Sequence, residues 1–426
     1  MIIVAIVVSI ALGYKTGINT GLFAIAFAYL IGCFGLNLEP STVISFWPLH
    51  IFFIIFSVSV FYNFAIANGT LEKLAGHLIL RCQKHPHSLP FAVFFSATLI
   101  AGMGPGFYTV LAFMAPLTLM LCDKTGMSRV LGAMAVNYGA LAGANLMTSQ
   151  SGIIFRELMQ SAGATPEAAF INATGIFVVT LVIPVVVITG FFALSGNKDR
   201  VIFEAGKPAP FDAQQKTTLA LVSVMLGIVL LVPVLHMLVP GNPGITFIYS
   251  KMDIGLVAAI FSVIALLLNL ADEKKVLSMV PWSTLIMICG VGMLISIAIE
   301  AGSIEMLSGW IGSHLPAAII PLAMCLIAAI MSLFSSTLGV VTPALFPIVP
   351  AIAAASGHSE MLLFASIVVG AQASAISPFS SGGSLILGAS TSEECRTRLF
   401  PELLFKAVPI GWLMAITATL VLSRFG

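Results

Sequence analysis

The sequence predicts an all-α polytopic membrane protein, with about ten transmembrane helices and two re-entrant hairpins in two inverted repeats. Three observations predict it: the apolar composition, a similarity between the two halves, and the distribution of the basic residues. Hydrophobic residues make up 59% of the 426 positions and charged residues only 8%. A water-soluble domain cannot cover its surface with so few charges, so we expect the chain to lie in a lipid bilayer. Since about 20 apolar residues cross a bilayer, most of the chain is needed for these crossings.

The two halves of the sequence resemble each other at a nearly constant offset. Residues 68–76 (NGTLEKLAG) match residues 301–309 (AGSIEMLSG) at an offset of 233 residues. Pro116 pairs with Pro347 at an offset of 231 residues. Apolar composition alone does not explain an offset that stays so constant, and we therefore predict a duplicated fold.

The predicted elements follow the same order in each half. Two long apolar segments are interrupted midway by small or polar residues, which is typical of re-entrant hairpins. If each hairpin enters and leaves on one side, each half has an odd number of crossings and the second copy is inverted. The first repeat is predicted at 1–195, with an interfacial helix at 70–84, a hairpin at 90–121 and a broken span at 128–162. After a cytoplasmic linker at 196–216, the second repeat follows at 217–426, with the corresponding elements at 303–314, 316–352 and 360–392.

The basic residues are distributed unevenly across the predicted membrane. Of the 18 Lys and Arg residues, only Arg156, Lys251 and Arg424 fall on one side. The positive-inside rule places the other side in the cytoplasm and predicts both termini outside, in a bacterial inner (plasma) membrane. The apolar start at residues 2–13 lacks the basic region of a signal peptide, so we interpret it as a short first span.

Four segments within the apolar regions are rich in Gly, Ser, Thr or Asn and are predicted to be unwound. Two are the hairpin tips at 102–106 and 335–337, and two interrupt the following spans at 145–152 and 377–383. Inverted repeats would bring all four together near the middle of the membrane. Free N–H groups at helix N-termini favour an anion, whereas carbonyl and hydroxyl oxygens favour a small cation such as sodium. The pattern predicts a site for an anion carried with cations; the alternative is that these small residues only permit close helix packing.

Titratable side chains are scarce within the predicted spans. Of the 17 Asp and Glu residues, only Glu157 is placed where it could reach the core, which disfavours a proton-driven antiporter. The seven His and six Cys residues show no catalytic or metal-ligand spacing, which disfavours an enzyme. Two interpretations of Arg156 stay open: an ion-pair partner of Glu157, or a charge that attracts the substrate.

The order of elements resembles the ion transporter superfamily. Within it, the chain is most similar to divalent anion/sodium symporters and to malonate and dicarboxylate carriers of the MatC type. Residues 102–116 with 145–152, and 335–347 with 377–388, carry the resemblance. It implies a homodimer in which the hairpins and broken spans move as a unit against a fixed scaffold, as in an elevator.

The resemblance also implies which residues form the site. In the divalent anion symporters each hairpin tip carries Ser-Asn-Thr, whose oxygens are shared between sodium and a substrate carboxylate. Ser336 stands in place of that asparagine in the second tip, whereas the first tip, at 104–106, has lost all three side chains. The substrate-binding candidates are Gly106, Ser149, Gln150, Ser336, Thr337, Ser380 and Ser381. The cation-binding candidates are Gly102, Gly104, Asn145, Thr148, Ser335 and Ser377.

We therefore expect a secondary transporter that imports small dicarboxylates, such as malonate, malate or succinate, by symport with a cation, namely sodium. Its expected partners are the small anion, the bilayer and a second copy of the chain. We expect neither an enzymatic activity nor nucleic-acid binding, and no cofactor apart from Na⁺ as the coupling ion. The alternatives are a carrier of another organic or inorganic anion, a sodium/proton antiporter of the same superfamily, and an anion channel. A channel is disfavoured because the spans lack a ring of basic side chains.

Overall fold

The computed structural model describes residues 2–80, 88–194, 209–239, 241–303, 306, 314–333, 335–390 and 392–424. These residues form helices joined by short connections, and none of them lies in a strand. The helices of the first half are Ile2–Thr16, Thr20–Tyr29 with its continuation Leu30–Gly35, Pro40–Ser45, Leu49–Ala67, Thr70–Leu80, Leu89–Gly102, Phe107–Thr125, Arg129–Ala144, Gln150–Ser161 and Pro166–Leu194.

The second half repeats this order. Its helices are Ala213–Leu238, Pro243–Lys251, Ile254–Leu267, Glu273–Ser278, Trp282–Glu300, Ala317–Ile319, Ile320–Leu333, Thr337–Val341, Thr342–Leu345, Phe346–Ile348, Val349–Ser356, Glu360–Ala373, Ser381–Gly388, Glu393–Glu402, Leu403–Ala407 and Val408–Leu422. Several of these follow one another without a break, so that 337–356 and 393–422 each form one continuous helical stretch.

Seven helical stretches among the described residues are long and apolar enough to cross a membrane, and eight if one bent pair counts as a span. The prediction of an all-α polytopic membrane protein is confirmed. The number is lower than the predicted ten because some crossings consist of two short helices. Arg129–Ala144 stops at Asn145 and the chain resumes a helix only at Gln150. Neither part alone reaches the roughly 20 residues that a crossing needs.

The same helix packing occurs in the hairpin region of both halves. Leu89–Gly102 packs along Arg129–Ala144, and Ile320–Leu333 packs along Glu360–Ala373. At these crossings Gly139 lies against the carbonyl of Phe94, and Gly370 lies against the carbonyl of Cys325. Gly370 follows Gly139 by 231 positions, and Cys325 follows Phe94 by the same number. A side chain at either glycine would push the two helices apart, so small residues set the close approach.

Helices of each half also pack directly against helices of the other half. Thr20–Tyr29 packs on Trp282–Glu300 of the second half, and Ile254–Leu267 packs on Leu49–Ala67 of the first. The short helix Ser381–Gly388, which completes the second broken span, packs on Phe107–Thr125 of the first hairpin. The second broken loop therefore lies beside the first hairpin, at the boundary between the halves.

Thr70–Leu80 forms a helix within the segment predicted to lie in the interface. It buries Leu71 and Ala75 and exposes Glu72, as expected of an amphipathic helix. Residues 81–87 lie outside the described residues, as do most of the corresponding segment 303–314 and residues 196–208 of the linker. The boundaries of the repeats and their inverted orientation stay predictions.

Candidate functional site

A cavity lies where the second hairpin tip and the second broken loop meet the first half. We call it the central cavity. Its polar lining comes from Tyr108, Ser151, Ser332, Ser335, Ser336, Thr337, Gln372, Ser380 and Ser381. No charged side chain of the described residues lines it. Hydroxyl, amide and backbone groups of this kind can hold a small polar molecule by hydrogen bonds.

The second hairpin tip is held by its own hydroxyls. Ser336 caps the helix that starts at Thr337, because its Oγ accepts a hydrogen bond from the Gly339 N–H at 3.1 Å. The hydroxyls of Ser332 and Thr337 lie 3.0 Å apart, and Ser335 donates to the Met331 carbonyl at 2.6 Å. A hydroxyl offers one donor and two acceptor positions, so these groups keep capacity for a ligand.

The second broken loop is organised by Ser380. Its Oγ accepts from the Gly383 N–H at 3.3 Å and lies 2.7 Å from the Ala375 carbonyl and 2.8 Å from the Ser377 carbonyl. This cap positions the N-terminus of the helix Ser381–Gly388 beside the central cavity, where Ser381 and Gly382 form part of the lining. A helix N-terminus in that position favours a negative charge in the cavity.

The first hairpin tip contributes backbone in place of hydroxyls. Gly104 and Gly106 have φ of 117° and 80°, a region that residues with side chains rarely adopt. A side chain at Gly104 would overlap the ring of Tyr62, and one at Gly106 would overlap the side chain of Gln150. The tip is therefore closely packed between these two side chains.

The first broken loop carries polar groups without partners. Ser149 stands at the start of the helix Gln150–Ser161 but does not cap it, because its hydroxyl donates to the Ala101 carbonyl at 2.6 Å. Within the described residues, the buried hydroxyls of Thr148 and Ser151 have no hydrogen-bond partner. A buried polar group without a partner costs about 1–3 kcal/mol. Such groups beside an uncapped helix N-terminus are typical of a ligand-binding region.

A pair of buried amides connects the two broken spans. Asn145 Nδ2 donates to Gln372 Oε1 at 3.1 Å, and Gln372 Nε2 donates to Asn145 Oδ1 at 2.9 Å. Asn145 Nδ2 also donates to Thr180 Oγ1 at 3.0 Å. Asn145 thus uses its side chain to join the halves, and Gln372 reaches the central cavity from this pair.

Five of the predicted site residues line the central cavity: Ser335, Ser336, Thr337, Ser380 and Ser381. Eight others lie outside the lining: Gly102, Gly104, Gly106, Asn145, Thr148, Ser149, Gln150 and Ser377. The roles in binding of all these residues stay predictions.

Sequence reasoning missed four polar residues of the lining: Tyr108, Ser151, Ser332 and Gln372. The Tyr108 hydroxyl lies 3.0 Å from Ser336 Oγ and also bonds with Ser381. Gln372 was detectable as an amide inside an apolar helix, which is uncommon in membrane spans. Tyr108 follows the predicted tip at 102–106 and Ser151 lies within the predicted segment 145–152, but only the fold shows that they face the second half.

Glu157, the acidic residue predicted to reach the core, pairs with a histidine. Its Oε2 lies 2.7 Å from His50 Nδ1, while Asp253 Oδ2 lies 3.1 Å from His50 Nε2. His50 in this triad therefore connects Leu49–Ala67 to the helix Gln150–Ser161 of the first half and to the start of Ile254–Leu267 in the second. Arg156 forms no ion pair within the described residues. The structure thus pairs Glu157 with His50, and no carboxylate of the described residues forms an ion pair with Arg156.

Comparison with known proteins agrees with this architecture. Residues 1–144 match the family model described as the N-terminus of the dicarboxylate carrier protein MatC. The crystal structure of the YdaH transporter of Alcanivorax borkumensis has a similar fold, with a TM-score of 0.60 at 16% sequence identity. The match covers 93% of this chain and 90% of that chain. A search of curated proteins finds no match. The predicted resemblance to MatC-type carriers is confirmed, and the chain is a multi-pass membrane protein with the fold of a known transporter.

Proposed function

We propose that the protein is a secondary carrier that imports small dicarboxylates, such as malonate, malate or succinate, by symport with sodium. The observation that supports this most is the central cavity, which is lined by hydroxyls and placed at a helix N-terminus. The match of residues 1–144 to a dicarboxylate carrier model supports the same class of substrate.

A carboxylate in the central cavity would be held by neutral donors. The hydroxyls of Ser336, Thr337 and Ser381 can each donate to a carboxylate oxygen. Backbone N–H groups at the start of Ser381–Gly388 add the positive end of a helix dipole. Hydrogen bonds to a charged acceptor are about twice as strong as neutral ones, so a few hydroxyls suffice to orient a small dianion.

A coupled cation would compensate the negative charge of the substrate. Moving a dianion into a negative-inside cell costs about 4.6 kcal/mol per 100 mV, since each elementary charge costs about 2.3 kcal/mol. Carbonyl and hydroxyl oxygens near Ser335 and Ser377 lie where the helices Ile320–Leu333 and Glu360–Ala373 end. Helix C-termini carry partial negative charge, and this favours a sodium ion there.

The packing supports an elevator-type movement as the transport step of this proposal. In each half the first hairpin arm packs tightly along the first part of the broken span, which would let tips and loops move as one body. The scaffold would consist of the helix pairs that pack across the two halves, Thr20–Tyr29 with Trp282–Glu300 and Leu49–Ala67 with Ile254–Leu267. We propose that this scaffold also forms the contact of a homodimer.

A thermal-shift screen of the purified protein tests the substrate class. We expect malonate, malate or succinate to raise the melting temperature, and sodium chloride to enlarge the shift relative to choline chloride. Tricarboxylates, sulfonates and inorganic oxyanions serve as the comparison set. A shift with one of those anions and none with any dicarboxylate would show that the carrier takes a different anion.

A further inference from the structure

The side chain of Arg156 runs toward the middle of the protein. Side chains in a helix point back toward its N-terminus, and Arg156 Nη1 donates a long hydrogen bond of 3.4 Å to the Met147 carbonyl, nine residues earlier. The helix Gln150–Ser161 starts at the first broken loop and continues toward the predicted outer side. An arginine that served only as an interfacial anchor would extend toward water. Arg156 instead places its charge at the broken loop.

The guanidinium of Arg156 is partly buried and makes few polar contacts within the described residues. Within the described part of the chain it lacks a carboxylate partner, since the adjacent Glu157 bonds with His50. Its Nε is buried without a partner, and its other contact is the face of the Phe170 ring at 5.4 Å. Burying a charge is costly unless a counter-charge or hydrogen bonds compensate it. A half-buried guanidinium with so few contacts keeps donors free to bind an anion.

The groups without partners concentrate around this arginine. Eight buried side-chain atoms of the described residues have no hydrogen-bond partner, and three of them belong to Thr148, Ser151 and Arg156. Ser151 lines the central cavity, and Arg156 lies five residues further along the same helix. The concentration in a single loop and helix start favours a shared role over three separate packing defects.

The position of Arg156 is one where a repeated transporter fold would hold a cation. Met147 lies in the unwound loop just after the C-terminus of Arg129–Ala144, and such carbonyls with their helix dipole attract positive charge. At the offset of 231 residues, Arg156 corresponds to Leu387 and Met147 to Pro378 in the second half. The second half has no fixed cation at the matching position. The first tip, with glycines at 104 and 106, has also lost the side chains that could bind an ion.

We infer that Arg156 is a built-in cation that replaces a coupling ion at the first broken loop and helps to neutralise the bound dianion. This rests on the proposed function. The protein then keeps a single side-chain-supported sodium site, in the second half. Because the guanidinium stays with the protein, it lowers the cost of holding the dianion but carries no charge across the membrane over a full cycle.

Malonate binding to purified Arg156→Gln and Arg156→Lys variants tests this inference. We expect Arg156→Gln to weaken malonate binding about tenfold or more in low sodium, a loss equal to about 1.4 kcal/mol. High sodium should restore part of this affinity, because the ion can then use the freed Met147 carbonyl and the Thr148 hydroxyl. Arg156→Lys keeps the charge and should stay close to the wild type. The control Arg396→Gln removes an exposed guanidinium from a surface pair and should leave the malonate constant unchanged.

Arg156→Gln with the wild-type malonate constant in low sodium would overturn the inference, as would equal losses in Arg156→Gln and Arg156→Lys. If Arg156→Gln does not fold, a sodium titration of malonate binding to the wild type decides. A Hill coefficient near one supports a single cation site, and clear cooperativity contradicts it. A wild type that binds no dicarboxylate would instead contradict the proposed function, so the two failures are distinguishable.

Discussion

Tyr108 brings a hydroxyl of the first half into a cavity whose other hydroxyls come mainly from the second half. Its contact with Ser336, at 3.0 Å, joins the first hairpin to the tip of the second. Ser336 also caps its helix through the Gly339 N–H, so the position of its hydroxyl does not depend on Tyr108 alone. This geometry makes Tyr108 a candidate donor to the substrate, with Ser336 as its neighbour.

At the residue scale, the change Tyr108→Phe tests this role because it keeps the ring and removes only the hydroxyl. Losing one hydrogen bond of about 1 kcal/mol should raise the malonate constant roughly fivefold. The measurement is malonate binding by thermal shift, together with the melting temperature of the ligand-free protein. An unchanged malonate constant would show that Tyr108 only fills space.

Ser336→Ala and Ser380→Ala test the predicted second-half site. Each removes a helix cap next to the central cavity, and we expect each to raise the apparent constant for malonate or for sodium several-fold, about 1 kcal/mol. The matched control is Ser384→Ala, whose hydroxyl bonds within its own helix and does not line the cavity. Transport assays of membranes with equal protein content provide the readout. Wild-type constants in both variants would mean that the site is misplaced.

The second-half hydroxyls were predictable because Ser335, Ser336, Ser380 and Ser381 interrupt long apolar runs. Residues whose orientation depends on packing between distant parts of the chain were not predictable. Ser151 lies beside the predicted Gln150, but its orientation toward the second hairpin depends on how Gln150–Ser161 packs. A single sequence contains no information on that packing.

At the scale of elements, the Asn145–Gln372 pair joins the first broken span to the second. Both amides are buried, and each donates to the other. Replacing one amide by an apolar side chain leaves the other amide buried without its hydrogen-bond partner. Replacing both amides leaves neither side chain unpaired. The two amides therefore stabilise the protein only when both are present.

A double-mutant cycle with Asn145→Leu and Gln372→Leu measures this coupling. We expect each single change to destabilise the protein by about 1–3 kcal/mol, and the double change to cost less than the sum. Thermal unfolding in detergent, without ligand, gives the midpoints for the comparison. Additive effects of the two changes would contradict a direct connection between the broken spans.

The elements themselves were largely predictable from hydropathy and from the positions of Gly and Pro. What the sequence did not predict is how the two halves pack against each other. Thr20–Tyr29 packs on Trp282–Glu300, and Ser381–Gly388 packs on Phe107–Thr125. These partners are far apart along the chain, and their apolar faces carry no mark of which helix they meet.

At the scale of the whole molecule, the repeat explains both the fold and its asymmetry. The contacts Gly139–Phe94 and Gly370–Cys325 occupy matching positions, so the duplicated packing persists where it supports the hairpins. The binding groups have diverged: hydroxyls line the second tip, while glycines, unpaired hydroxyls and Arg156 occupy the first. This divergence is what the proposed carrier, with one side-chain site for a cation and one fixed positive charge, would require.

Uptake of labelled malonate into proteoliposomes tests the central proposal of a sodium-coupled dicarboxylate carrier most directly. With an inward sodium gradient we predict saturable malonate accumulation, which excess succinate or malate inhibits and which stops when choline replaces sodium. Vesicles without protein give the background. Malonate uptake that is equal in sodium and in choline would contradict sodium coupling, and no uptake of any dicarboxylate would contradict the proposed substrate class.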